Sequence, residues 1–182
     1  MPTPRRELLL DTAEQLFYRD GFHATGIDLI QAESGVAKTT LYKHFKSKDA
    51  LILAVLERSS QRVMESLETQ ASANKGDGIR RIQAPFKDLY SICEEPDFNG
   101  CLFNNAAAEF VYSNPEIRAL AARHMQWMQA FLARLLEEEG FKAEYALVLL
   151  PLYEGLLTVA RVQDSQPAID ETLRAIQQLL QA

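Results

Sequence analysis

Residues 25–48, TGIDLIQAESGVAKTTLYKHFKSK, restrict the possible folds of this chain more than any other segment. Ile27 and Ile30 share a face of a short first helix. Ser34-Gly35-Val36 then forms a turn, because glycine tolerates the left-handed backbone conformation. A second short helix is expected from about 37 to 44, carrying polar and basic residues. Thr25 is expected to cap the first helix, with Asp28 at the third helical position in a variant of the capping box. Ser47 is expected to cap a longer helix beyond. Such a layout lets one helix lie in a DNA major groove while its neighbours hold phosphates.

A net charge of −6 argues against DNA binding until its distribution is considered. Residues 1–50 hold seven Lys/Arg and seven Asp/Glu, so the whole acidic excess lies beyond them. Lys38, Lys43, Lys46 and Lys48 fall within 36–48 with no acid among them. A local cationic face can bind phosphates while an acidic body discourages indiscriminate association. On their own these lysines would read as an ordinary solvated face.

Helical signals dominate the rest of the chain. Leu9, Ala13, Leu16 and Phe17 recur at helical spacing and Gly21 follows as a stop. After Ser47, the residues Ile52, Val55, Leu56, Ser59, Val63 and Leu67 line one face, and 71–78 reads as a loop. Further helices are expected near 79–93, 99–112, 115–139, 142–164 and 168–181. Glu94-Glu95-Pro96-Asp97 breaks the first pair, Ser113-Asn114-Pro115 supplies a cap with an early proline, and Gly140 ends the long helix. The expected fold is all-α with about nine helices: a three-helix helix-turn-helix head over 1–48 and a helical ligand-binding and dimerisation domain over 49–182.

The N-terminal block resembles the TetR family of bacterial transcriptional regulators. The resemblance rests on Thr25, Ile30, Gly35-Val36, Lys38, Leu41-Tyr42, His44-Phe45, Ser47-Lys48 and Leu51, and covers about the first 55 residues. A subgroup carrying TGID, GVAK, LY.HF and SKD is closer still. It implies that Lys38, Thr39 and Thr40 face base edges and phosphates, while Tyr42, Lys43, His44 and Lys48 bond phosphates. Thr25 and Gly26 belong to the same DNA-contacting set, Gly26 by letting backbone approach closely. Leu41 and Phe45 instead hold the three helices together. Arg5 and Arg6 are either an arm reaching DNA or solvated residues at a frayed end. Ala37 stands where relatives often have Ser, and Gln31 and Glu33 replace small apolar residues.

The resemblance also implies a small-molecule effector without naming it. Residues 99–110, NGCLFNNAAAEF, look like a segment of one subgroup. Phe86, Tyr90, Cys101, Phe103, Phe110, Trp127, Met128, Phe131 and Tyr153, with Met125, are candidates to line an apolar cavity. Asn104, Asn105, Glu109 and His124 would be its polar anchors. The competing reading makes most of these aromatics core. Cys101, near a helix start, is either a reactive sensor of oxidants and electrophiles or a packing residue. In the family, helices such as those near 142–164 and 168–181 form a four-helix dimer interface. Here they carry Leu147, Leu150, Leu156, Leu157, Leu173, Ile176 and Leu180. A two-fold dimer sets two recognition helices about 34 Å apart along the DNA.

Other classes find little support. The apolar stretch 145–160 is broken by Pro151 and Glu154 and reads as a buried helix, so no membrane span is expected. The N-terminus lacks a signal-peptide core, which points to the cytoplasm. Cys93 and Cys101 are too few for a disulfide framework. His23, His44 and His124 lack metal-site spacing, and Glu137-Glu138-Glu139 reads as a solvated helix end. With no phosphate loop or nucleophile elbow, neither an enzyme nor a cofactor is expected. The reading is a homodimeric repressor that binds operator DNA and is released when an effector shifts its population. The alternatives are a Cys101-based redox or electrophile sensor and an effector-independent DNA binder.

Overall fold

The computed structural model describes residues 4–181 and is all-helical over them. Ten α-helical segments and one short 3-10 turn follow in order: α1 Arg5–Asp20, α2 Ile27–Ser34, α3 Lys38–His44, α4 Lys48–Ala73, α5 Ile79–Lys87, α6 Leu89–Ile92, α7 Leu102–Phe110, α8 Pro115–Glu138, the turn Ala143–Tyr145, α9 Ala146–Val159 and α10 Gln166–Gln181. Only Asp88 separates α5 from α6, and it keeps helical dihedrals (φ −62°, ψ −24°), so the helix expected over 79–93 is one interrupted element. Pro85 lies inside α5 and has no N–H to contribute to the ladder. Counted together, the two pieces bring the total to nine.

The chain divides into two compact units. The first comprises the described residues of Met1–Gln61 together with Leu102–Ala122. Leu9, Leu10, Ala13, Leu16 and Phe17 of α1 bury against α2 and α3, whose inward residues are Ile30 and Leu41. Phe22 is fully buried, stacked on Phe17 at 5.1 Å and edge-on to Phe110 of α7 at 5.8 Å. Gly35 adopts φ 65° and its N–H closes α2 on Gln31, as the turn requires. The Ser47 hydroxyl accepts the Ala50 N–H at 3.0 Å, and Asn114 Oδ1 accepts those of Glu116 and Ile117 at 3.0 and 3.2 Å. These are the expected caps of α4 and α8.

One local expectation fails here, and one of two alternatives falls away. Thr25 does not cap α2; that position belongs to Gly26, with no side-chain bond. The Thr25 hydroxyl turns inward and donates to the carbonyls of Gly21 at 2.7 Å and Leu16 at 3.2 Å, sealing the end of α1. Arg5 and Arg6 form no extended arm, because both lie in the first turn of α1. The Arg6 guanidinium sits 5.5 Å from the centre of the Phe45 ring, a contact that favours the folded position.

The second unit comprises Arg62–Cys101 with the described residues of Arg123–Ala182. Its core gathers Leu67 and Ala71, Ile82 and Phe86, Leu89, Met128, Phe131, Leu132, Leu135 and Leu136, Leu149 and Leu156, and Ile169, Ile176 and Leu180. Gly140, at φ 82°, ends α8, and the Phe141 N–H reaches back to the Leu136 carbonyl at 2.8 Å. The Glu137-Glu138-Glu139 run is not the solvated helix end expected from sequence. Only Glu137 and Glu138 are exposed, and Arg81 takes Glu138 and Glu139 in two ion pairs of 2.7 Å. Arg81 is buried, so its charge demands those partners.

Candidate nucleic-acid interface

α3 is amphipathic on a scale of two turns. Leu41 is fully buried and Phe45, just past its end, nearly so, while Lys38, Thr39, Tyr42, Lys43 and His44 are exposed and Thr40 is half-exposed. The buried pair fastens α3 to α1 and α2, which leaves the polar side chains projecting together. Fixing Leu41 and Phe45 inward thus decides which residues a DNA duplex could meet.

The surrounding residues sort themselves by geometry. Gly26 is exposed, and a Cβ there would meet nothing within 4 Å. Thr25 has no exposed surface, so it cannot touch DNA and drops out of the contacting set. Its role is to hold the turn before α2. Lys48 is half-buried, and its ammonium donates to the His23 carbonyl at 3.3 Å. Burial lowers the Lys48 pKa, with Glu109 and Asp49 acting in the opposite sense.

Three residues at this surface escaped sequence reasoning. Asp28 accepts from the Lys38 ammonium at 2.6 Å, pairing the first turn of α2 with the first residue of α3. Glu109 is no anchor for an effector: its carboxylate accepts the Phe22 N–H at 2.9 Å, the His23 N–H at 2.7 Å and His23 Nδ1 at 2.8 Å. Burial opposes the Glu109 charge, yet those backbone and His23 bonds outweigh it and hold the carboxyl below the ordinary range. His23, considered earlier only as a metal ligand, stacks on Phe110 at 4.6 Å. The only sequence signal for the Glu109 contact was an acid beside an aromatic in a small-residue helix.

The effector candidates separate between the units. Phe86, Met128 and Phe131 are buried in the second core, with Tyr90, Cys101, Trp127 and Tyr153 packed against it. Phe86 meets Tyr153 edge-on at 5.6 Å, and Trp127 stacks between Phe131 at 5.2 Å and His124 at 6.5 Å. Burial pushes the His124 pKa down to about 4, so the ring is neutral at pH 7. Burial also raises Glu154, a shift moderated by a side-chain hydrogen bond with Cys101. Phe103, Asn104 and Phe110 lie on α7, which belongs to the first unit. Phe110 is committed to Phe22 and His23, and Asn104 is exposed.

The dimer candidates need a similar revision. Leu156, Leu157, Ile176 and Leu180 are buried within their own unit, and Leu150 and Leu173 are half-buried. Each apolar stripe faces the nearest core first. What remains on the outside is Leu147, 62% exposed, with Val148, Pro151, Gly155 and, past the helix end, Val162. Among the described residues, no His, Cys, Asp or Glu group is arranged to hold a metal ion, and no helix is long and apolar enough to cross a membrane.

Comparison with known proteins identifies both parts. Residues 9–55 match the family of bacterial regulatory proteins described as the tetR family, and residues 78–176 match the tetracyclin repressor-like C-terminal domain. The HTH-type transcriptional repressor NemR of Escherichia coli is 26% identical over 96% of this chain and 93% of its own length. Its crystal structure in the reduced form superposes with a TM-score of 0.86 at 25% identity, covering 96% of this chain and 95% of that one. A TetR-family regulator from Streptomyces coelicolor gives a TM-score of 0.85 at 29% identity, over all of this chain and 90% of its own.

Proposed function

This chain belongs to the TetR family of bacterial regulatory proteins and is a DNA-binding transcriptional regulator rather than an enzyme, and on that premise we propose that it is a homodimeric repressor released from its operator by a small apolar or amphipathic effector. Regulators of this family bind operator DNA and function as dimers. In this reading residues 1–48 read the DNA from the cytoplasm, and 49–182 bind effector and partner. The observation that carries it is the exposed row Lys38, Thr39, Tyr42, Lys43 and His44, set by the burial of Leu41 and Phe45. The repressor sign draws on NemR, which is named as one.

The test is a gel shift on the DNA upstream of the gene, run over a range of salt. Specific binding that a ligand releases supports the reading; binding that no metabolite alters favours an effector-independent DNA binder. Lys43→Ala should weaken binding to operator and random DNA alike and flatten the salt slope by about one unit per half-site. An unchanged slope would remove Lys43 from the phosphate contacts.

Dimerisation is assigned to the outer face of α9. Leu147→Glu puts a charge where two apolar faces meet, and is expected to shift sedimentation from dimer to monomer and to abolish tight operator binding. A dimeric Leu147→Glu protein would move the interface elsewhere.

A second reading is favoured by one observation, the Cys101 thiol bonded to the Glu154 carboxyl immediately before α7. There, addition of an oxidant or electrophile at sulfur breaks that bond and serves as the releasing signal. Equal DNA release by wild type and Cys101→Ser on titration with a reactive aldehyde rules it out. Burial, only partly offset by Ser165, raises the Cys93 pKa and so reduces the thiolate available there.

A further inference from the structure

Lys38 opens the recognition helix, yet its ammonium is already engaged by Asp28 at 2.6 Å. The hydrogen bond and the charge of Asp28 together hold that ammonium above its usual pKa. The pair is therefore neutral as a unit, and Lys38 brings no net positive charge toward the phosphates.

Asp28 lies two residues before buried Ile30, which places it on the opposite face of α2. Its side chain is 84% exposed, the greater part of it open to a partner. A carboxylate beside the DNA-facing row is repelled by every phosphate it approaches. It becomes favourable only against a hydrogen-bond donor, and the donors on major-groove base edges are the amino groups of cytosine and adenine. Oδ1 is the oxygen bound to Lys38, which leaves Oδ2 to accept. The ammonium retains two further N–H groups, suited to the O6 and N7 acceptors of guanine.

We propose that Asp28 and Lys38 form one base-reading unit, in which Asp28 accepts from the exocyclic amino group of cytosine or adenine and Lys38 donates to a neighbouring guanine. Asp28 is then a specificity-determining residue that sets the base preference at one position of each half-site. The inference rests on the operator-binding reading above and adds the chemistry by which the operator is told from other DNA.

The experiment selects operators from a randomised DNA pool with full-length wild type, Asp28→Ala and Asp28→Asn, then measures competition binding at several salt concentrations. Thermal melting checks that the variants fold, as the exposure of Asp28 leads one to expect. Asp28→Ala should lose about tenfold in discrimination at one base pair per half-site, while the freed Lys38 ammonium strengthens binding to all DNA and steepens the salt slope by up to about one unit per half-site. Asp28→Asn, with an acceptor and a new donor, should shift that position toward adenine. Unchanged base preferences in Asp28→Ala overturn the proposal, and they do so even where binding to operator and random DNA rises together with a steeper slope, since that gain reports only the unpaired Lys38 charge. Wild type with no preferred sequence overturns the operator-binding reading, and this inference with it.

Discussion

Replacing Glu139 with alanine is expected to lower the stability of the second unit by about 3–5 kcal/mol, the loss typical of a buried ion pair stripped of one partner. The Glu139 side chain is 5% exposed, and both oxygens are occupied. Oε1 accepts from Arg81 at 2.7 Å and from the Gly76 N–H at 2.9 Å, while Oε2 accepts from the Gly78 N–H at 2.8 Å. Gly76 and Gly78 have φ of 86° and 58°, so the loop after α4 takes a path in which two amides converge on one carboxylate. Alanine leaves those amides without their acceptor and Arg81 with Glu138 and the Ala71 carbonyl alone. The dependence on pH follows in sign. The Gly76 amide is the largest influence and lowers the Glu139 pKa, burial works the other way, and Arg81 and Gly78 add to the lowering. The stabilisation is thus fully present above the ordinary value of 4.5 and is lost as pH falls through the lower folded value. Urea unfolding at pH 7 and at acid pH measures both effects. A Glu139→Ala protein within about 1 kcal/mol of wild type would show the network to be worth no more than a surface pair.

What could be read from sequence, and what could not, divides by the distance between partners along the chain. Gly35, Ser47 and Asn114-Pro115 mark helix ends through bonds to residues two to four positions away, and all three stand as expected. The exposed row of α3 is likewise set by periodicity around Leu41. Thr25 shows the limit of such reasoning, since a good capping residue found better acceptors in the carbonyls of Leu16 and Gly21. Glu109 and Phe22 are separated by 87 positions, and Arg81 and Glu139 by 58. Nothing local distinguishes a carboxylate that will be buried on an arginine from one that will face water. The leucines of α9 and α10 raise a related ambiguity: an apolar stripe declares that it will be covered but not by which surface. Aromatic residues on α7 and α8 look alike in sequence, yet Phe110 closes the first unit and Phe131 the second.

Substituting Glu109 with alanine should reach DNA binding from outside the helix-turn-helix. The carboxylate is the acceptor for two consecutive backbone amides in the turn that joins α1 to α2, and it also holds the His23 ring against Phe110. Lys48 grips the same turn from α4 through the His23 carbonyl. Hydrogen bonds to a charged acceptor contribute about 1.5–3 kcal/mol each, so losing this set should destabilise the first unit by at least about 2 kcal/mol. If the turn must be ordered for α2 and α3 to present their polar row, an equal ordering term enters binding, and operator affinity falls by about tenfold or more. Glu109→Gln retains one acceptor oxygen and should recover part of both losses. The effect should persist on random DNA, because the residue orders the head rather than reading bases. Its pKa is held below the usual 4.5, burial notwithstanding, by the amides of His23 and Phe22; the contribution is therefore constant above that value and declines as pH drops below it. Melting curves and gel shifts on Glu109→Ala decide the matter. Unaltered melting with unaltered affinity would mean that the turn keeps its shape without the carboxylate, and that α7 has no hold on the head.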